Sequence, residues 1–393
     1  MAIRLAIGAT VSQTIRAFYR GHLAELVRRG YRVTVIVAPD PGLAAWLPAE
    51  VDLHPVDFTR EITPLRDLVV LIHLIRYLRR ERFDMIQYSS PKAALLLSIA
   101  GRIARVPHRV YCLWGIYYSG QTGWRRAFMK LLEKISTACS THVSPDGKEN
   151  REFGVAEGLF PPEKSSVVGE GSANGIDLSR FDPEKHAPER KRIRAELHIG
   201  DRDFVIGSVA RLVRDKGIEE LVEAFERLSQ DRPDAHLILV GPREDGRTDL
   251  SAKTWHTIHT HGRIHWVGAR DNVPAYYAAF DLFALPSYRE GFGVVNLEAA
   301  AMNLPVISTD TAGPRESIVP GETGLLVPPR EVEPLHRALA ELAADPERRA
   351  RMARAGRQRV ERDFRAERLW ELWHEHRLRL LRSRETPHVK REA

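Results

Sequence analysis

Short apolar runs alternate with longer helical patterns along most of the chain, and the alternation begins twice. "IRLAIGA" and "YRVTVIVAP" read as buried strands on either side of the helical "IRAFYRGHLAELVRRG", which stops on Gly30 as helices often stop on glycine. "VDLHPVDF", a helix over roughly 65–82, "FDMIQYSS", a helix over roughly 91–104, "HRVYCLWG" and a helix over roughly 123–139 follow. Near residue 204 the pattern restarts with "FVIGSVAR", a helix over roughly 217–230, "AHLILVG", "RIHWVGA", the helical "VPAYYAAF", "LFALPS" and "LPVISTD". Such alternation predicts an α/β protein with two doubly wound parallel sheets, each covered by helices on both faces.

A chain of 393 residues has the length for two cores of ordinary size. Between the halves, "GEGSANGIDLSRFDPEKHAPERK" is rich in Gly, Pro and charge, the composition of a linker. The last segment is helical and amphipathic around Phe364, Leu369, Trp370 and Trp373, and its apolar face is expected to dock on protein, with a disordered tail from about residue 385. Two such domains facing one another leave a cleft at the carboxyl ends of their strands, where open α/β sheets bind ligands. Closure around a ligand is expected, with hinges at Gly171–Gly175 and before the last helix.

No run of about 18 uncharged apolar residues offers a membrane span. "MAIRLAIGAT" reads as a first strand rather than a signal peptide, so a cytoplasmic location is the expectation. Cys112 and Cys139 have neither ligand-like nor redox-like spacing and read as reduced thiols. The net charge of +7 is uneven: residues 1–180 hold 24 Lys+Arg against 17 Asp+Glu, and residues 181–393 hold 35 of each. The surplus points the first half toward something anionic, although 49 Arg against 10 Lys also fits a coding bias. Nucleic acid is excluded as the partner, since the basic stretches are amphipathic helices and no reader motif is present. The dense "HTIHTHGRIH" lies beside a strand without metal-ligand spacing and reads as loop and surface.

The chemistry concentrates in "PSYREGFGVVNLEAAAMNLPVI". A strand ends near Leu285, a polar loop follows, and a helix begins near Val294. Gly291 and Gly293 let the backbone approach a ligand closely, and free amides at the helix start suit phosphate. Glu290 precedes the turn and Glu298 lies one helical turn inside, two carboxylates suited to sugar hydroxyls. "VARLVRDKG" adds Arg211 and Lys216, two cations able to clamp a diphosphate.

These stretches, with "LILVG", "VGARDNVPAYYAAFDLFALPS", "TAGPRESI" and "PGETGLLVPP", resemble the retaining glycosyltransferases of family 4. The resemblance implies the GT-B fold: two Rossmann-like domains facing a cleft, an acceptor domain over 1–180, a nucleotide-sugar domain over 181–365, and a helix over 366–393 returning toward the first. By it, Arg211 and Lys216 would hold the donor diphosphate, Glu290 the donor-sugar hydroxyls and Glu298 the ribose. Backbone amides of Gly291, Phe292, Gly293, Val294 and Val295 would face sugar and phosphates, and the loop of Gly268, Ala269 and Arg270 would receive the base. Such transfer needs no enzymic nucleophile, because the leaving diphosphate assists the incoming hydroxyl on the same face. No Asp-x-Asp pair stands where the donor would sit, so no metal and no further cofactor are expected.

In the first half, "FTREITPLRDLVVLIHLIRYLRRERFDMIQYSSPKAALLLSIAGRIARVPHRVYCLWGIYY" is similar to capsule and lipid-linked oligosaccharide glycosyltransferases, with "SPKAA" at a "TPKAG"-like motif. Ser90 and Lys92, at a helix start formed by Pro91, are candidates for a phosphate of donor or acceptor. Trp114 stands where many relatives have histidine, and either stacks on a sugar face or fills core space. "LRDLVVLIHLIRYLRRER" and "GWRRAFMKLLEK" combine apolar spacing with basic clusters, as helices on an anionic membrane do.

The reading is a retaining, metal-independent transferase moving a sugar, an N-acetylhexosamine among the candidates, from a UDP-linked donor to a lipid-diphosphate-linked saccharide in bacterial cell-surface polysaccharide synthesis. The same reaction on a small soluble natural product is the first alternative, and a non-catalytic nucleotide-sugar-binding regulator the second. A nicotinamide dehydrogenase is disfavoured, because "GATVSQT" replaces Gly-x-Gly-x-x-Gly after the first strand.

Overall fold

A computed structural model describes residues 2–59, 61, 63–120, 122–244, 246 and 249–383. The chain divides into a unit of residues 1–174 with 367–393, and a second unit of residues 175–366.

In the N-terminal unit the order is β1 Arg4–Gly8, α1 Ser12–Phe18, α2 His22–Arg28, β2 Arg32–Val37, α3 Leu43–Trp46 and β3 Asp52–Pro55. Then come α4 Pro64–Glu81, β4 Met85–Tyr88, α5 Pro91–Ile103, β5 His108–Leu113, α6 Gly123–Cys139, β6 His142–Pro145 and α7 Lys148–Ala156. The sheet order is β3-β2-β1-β4-β5-β6, all parallel. Its strands are buried apolar runs such as Val33, Val35, Ile36 and Val37, as a sheet covered on both faces requires.

The C-terminal unit runs α8 Ala187–Glu196, β7 Phe204–Val209, α9 Ile218–Asp231, β8 Ala235–Val240, α10 Ala252–Thr260, β9 Ile264–Trp266 and α11 Val273–Ala279. It continues with β10 Leu282–Leu285, α12 Val294–Ala301, β11 Val306–Thr309, α13 Ala312–Ser317, β12 Gly324–Val327, α14 Val332–Ala344 and α15 Pro346–Arg359. Its order, β12-β11-β10-β7-β8-β9, repeats the first sheet's connectivity. Each sheet therefore reverses direction between its first and fourth strands, and ligands of such folds bind at the carboxyl ends beside that reversal.

The final helix, α16 Ala366–Arg382, belongs to the N-terminal unit from Glu367 onward. Leu369 and Trp373 are buried in that unit's core, and the Trp370 indole donates to Asn174 Oδ1 at 2.8 Å. Arg377, fully buried, donates to Gln87 Oε1 on β4 at 3.0 Å. A π-helical turn at Val360–Phe364 separates α16 from α15, so the last segment is two helices rather than one, and Phe364 lies in the C-terminal unit's core. The expected tail from residue 385 lies outside the described residues.

Three further elements differ from the sequence reading. The helix expected over 15–30 is broken at Gly21, whose φ is +72°, and a β-carbon there would stand 2.6 Å from the Trp370 ring, so this close approach requires glycine. The linker stretch is largely folded: Ile176 and Phe181 are buried in the C-terminal core and α8 begins at Ala187. Part of "HTIHTHGRIH" is helical, closing α10. Cys112 is buried, Cys139 half-buried, and both are free thiols.

Candidate functional site

Two loops meet at the C-terminal unit's reversal point, one after β7 and one after β10. Gly217, at φ +69°, closes the first loop, and a β-carbon there would stand 2.0 Å from the Pro286 carbonyl oxygen. Glycine is thus required for the two backbones to touch. Hydrogen bonds lace them together: the Asp215 carbonyl accepts from the Tyr288 amide at 2.9 Å and from Ser287 Oγ at 3.1 Å. The Arg289 guanidinium reaches the Asp215 carboxylate at 3.3 Å.

On this frame Lys216 Nζ donates to Glu290 Oε1 at 2.7 Å, with both side chains largely buried. Pairing the lysine with a carboxylate leaves its other N–H directions for further acceptors. The turn then runs through Gly291, Phe292 and Gly293 into α12. Phe292 is buried against Phe364, with ring centroids 5.6 Å apart, which anchors the turn from beneath. Gly293 sits at φ +75°, and a β-carbon there would crowd Asn296 at 2.9 Å and Ser317 at 3.2 Å. Val294 and Val295 open the helix half-exposed, without an acidic residue in its first turn, so its amide end stays electropositive.

Glu298 lies one turn into α12 and is half-buried. Burial pushes its carboxyl up to about 7, opposed by a hydrogen bond from the Tyr277 hydroxyl at 2.9 Å and by the charge of Arg180. Tyr277 is fully buried on α11. Glu298 therefore titrates near neutral pH as a held, half-ionised hydroxyl partner.

Arg211 does not join Lys216. Its exposed guanidinium pairs with Glu244 instead. Gly268 has φ +73° and open space around it, its carbonyl accepts from Gly241 at 2.9 Å, and Ala269 and Arg270 are exposed beyond it. The Arg270 guanidinium lies over the Tyr276 ring, 5.8 Å from its centroid.

In the N-terminal unit, Ser90 occupies φ +66° before α5, and the Ala93 amide donates to Thr10 Oγ1 at 3.2 Å across the equivalent reversal point. The Lys92 ammonium is engaged by Asp67 Oδ2 and by the Glu61 carbonyl, each at 2.6 Å. Trp114, half-buried, packs on Phe18 at 4.5 Å and Tyr19 at 5.9 Å between ring centroids. No group of three or more His, Cys, Asp or Glu side chains arranged to hold a metal ion occurs among the described residues.

Sequence reasoning missed Tyr277, Glu244 and Asp67, the partners of Glu298, Arg211 and Lys92, and it missed Asp215, which ties the two loops together. Only Tyr277 left a trace, as a polar-tipped residue in the apolar stripe of "VPAYYAAF".

Residues 15–171 match the glycosyl transferase 4-like domain, and residues 189–359 match the glycosyl transferases group 1 family. The chain belongs to these glycosyltransferases. This glycosyltransferase is 27% identical over 362 residues to the capsular polysaccharide biosynthesis glycosyltransferase CapM of Staphylococcus aureus, covering 92% of this chain and 93% of the relative. It is 28% identical over 295 residues to the UDP-Gal:alpha-D-GlcNAc-diphosphoundecaprenol alpha-1,3-galactosyltransferase of Escherichia coli, covering 73% of each. Its fold matches the crystal structure of Anabaena HepE in complex with UDP and glucose with a TM-score of 0.79, at 21% identity over 96% of this chain and 100% of that one. Two six-stranded parallel sheets with helices are the architecture shared with such GT-B structures.

Proposed function

We propose that this glycosyltransferase moves a hexose or N-acetylhexosamine, with retention, from a UDP-sugar to a lipid-diphosphate-linked saccharide in bacterial cell-surface polysaccharide synthesis. The observation that carries the reading is the Lys216–Glu290 pair at the reversal point, beside a glycine turn and a helix start free of acidic residues. The Escherichia coli enzyme, by its diphosphoundecaprenol acceptor and UDP-Gal donor, supports the acceptor class and the uridine donor, and CapM supports the setting in cell-surface polysaccharide synthesis.

In this reading Lys216 opposes the charge that grows on the departing diphosphate, and Glu290 orients the donor sugar. The bond from the anomeric carbon to the phosphate oxygen breaks, and one to the acceptor oxygen forms on the same face. The acceptor proton passes to the departing diphosphate. Arg211 joins the clamp by leaving Glu244, and Glu298 accepts from the ribose. Lys216 and Arg211 supply positive charge at the diphosphate, so the transfer is proposed to run without a metal. A lipid-borne acceptor places the work at the inner face of an anionic membrane.

A thermal-shift screen against UDP-, GDP-, dTDP- and ADP-sugars tests the donor, since a ligand that binds only the folded protein raises its melting temperature. A shift with UDP-sugars, weakened by Lys216→Ala and by Glu298→Ala, is expected. A response to GDP-sugars alone would replace the donor, no response at millimolar concentration would reject the donor site, and a donor shift without transfer would favour the regulator. Transfer to an undecaprenyl-diphosphate saccharide should survive a chelator and give a product of the donor's anomeric configuration. Inversion, or full loss of activity in chelator, would reject that part.

A further inference from the structure

Every large apolar side chain that stands exposed among the described residues lies on three neighbouring helices of the N-terminal unit. Helix α5 packs between α4 and α6, so the three form one layer. On α4, Leu65, Leu68, Val69 and Ile72 fall at helical spacing on one face, and Leu65 is 84% exposed. The opposite face, Val70, Leu74 and Leu78, already fills the core. The exposed stripe is therefore surplus to folding.

Helix α6 is reversed in the same sense. The residues it buries are Glu133, Ser136 and Thr137, whereas Trp124, Phe128 and Leu131 point outward, with Trp124 74% exposed. A soluble helix would place these sets the other way round. The layer is also basic: α4 carries Arg66, Arg76 and Arg79 besides Arg80, which pairs with Glu81, and α6 carries Arg125 and Lys134 besides Arg126 and Lys130, which share Glu157. Its acidic residues are withdrawn, Asp67 and Glu81 into ion pairs and Glu133 into the interior.

We infer that the outer faces of α4 and α6 are a docking surface for an anionic lipid bilayer, which deepens the proposed function and rests on its lipid-linked acceptor. Apolar anchors flanked by arginine and lysine fit acyl chains beneath anionic headgroups, whereas a protein partner would need a matching acidic rim. The helices α4, α5 and α6 follow β3, β4 and β5, so their first turns lie at the carboxyl edge of the sheet, where Ser90, Lys92 and Trp114 also stand. The Lys92–Asp67 ion pair ties the start of α5 to the start of α4. Docking thus brings that edge to the headgroups.

Flotation of the full chain with phosphatidylcholine vesicles, with and without an equal share of phosphatidylglycerol, tests the surface. The protein should float with the anionic vesicles only, and less as salt rises. Leu65→Glu with Val69→Glu, and Trp124→Glu with Leu131→Glu, should each cut partitioning about tenfold at unchanged melting temperature. Arg66→Glu with Arg76→Glu should do so without altering an apolar anchor. Transfer to a detergent-solubilised acceptor is measured alongside and should persist in all variants. A wild type that transfers sugar but never floats, or variants that float like the wild type, would overturn the surface and leave the reaction standing. A dimer in lipid-free solution that the same variants dissociate would reassign the face to a second copy. Flotation without transfer would sink the functional reading and leave the surface.

Discussion

The two units share one strand order and differ in what their loops hold at the point where that order reverses. In the C-terminal unit the loops after β7 and β10 and the start of α12 bring together a lysine, a half-buried carboxylate and a turn that only glycine fits. In the N-terminal unit Lys92, after β4, is engaged by Asp67, and Trp114, after the neighbouring β5, packs on Phe18. The same scaffold therefore carries a lysine–carboxylate pair at each reversal point and joins it to a glycine turn and a helix-borne carboxylate only in the C-terminal unit. Fold alone does not assign the chemistry, and the loops do.

The sharpest way to break this contrast is to remove one lysine from each unit. Lys216→Met should cost about 10²–10³ in transfer rate and abolish the donor thermal shift, as loss of a preorganised charge does. Lys92→Met should leave the donor shift intact; equal loss of donor binding in both would end the distinction. Next in size, Glu298 makes donor affinity pH-dependent. Its carboxyl is held up at about 7, so affinity that depends on the carboxylate should rise with pH through 7, by about tenfold where ionised. Its contribution to stability has the opposite course, full below the ordinary carboxylate range and fading as pH rises through 7. Glu298→Gln should flatten both profiles, read by calorimetry and by melting across the same pH series.

A smaller effect belongs to the N-terminal unit alone. Gly21→Ala forces a side chain into φ +72° against Trp370 and should destabilise that unit by about 1–2 kcal/mol, leaving protection from hydrogen exchange in residues 175–366 unchanged. Smallest is Tyr277→Phe, about 1 kcal/mol from the lost hydrogen bond, with the Glu298 carboxyl pushed up further. A downward shift, followed by carboxyl NMR, would contradict the assigned partner.

Much of this was legible in the sequence, because buried parallel strands are continuous apolar runs and the helices between them carry a clear period. The short β6 and the turn-flanked α7 left too little pattern to stand out. The break at Gly21 was hidden for a different reason, since the ring packed against it, Trp370, lies far along the chain. At the site, residue types and spacing marked Glu290, Glu298 and Lys216. Side-chain direction did not show: that Arg211 turns to Glu244, or that Lys92 is met by Asp67, depends on rotamers and neighbouring loops.

The return of α16 bears on how the molecule is made. Residues 175–366 are continuous and hold all of their own core, so this unit can fold as soon as it has left the ribosome. Residues 1–174 leave first, yet lack Leu369, Trp373 and Arg377 until α16 has been translated. The half synthesised first is thus the half completed last, and a truncated product would be left with an uncovered core facing the cell's proteases.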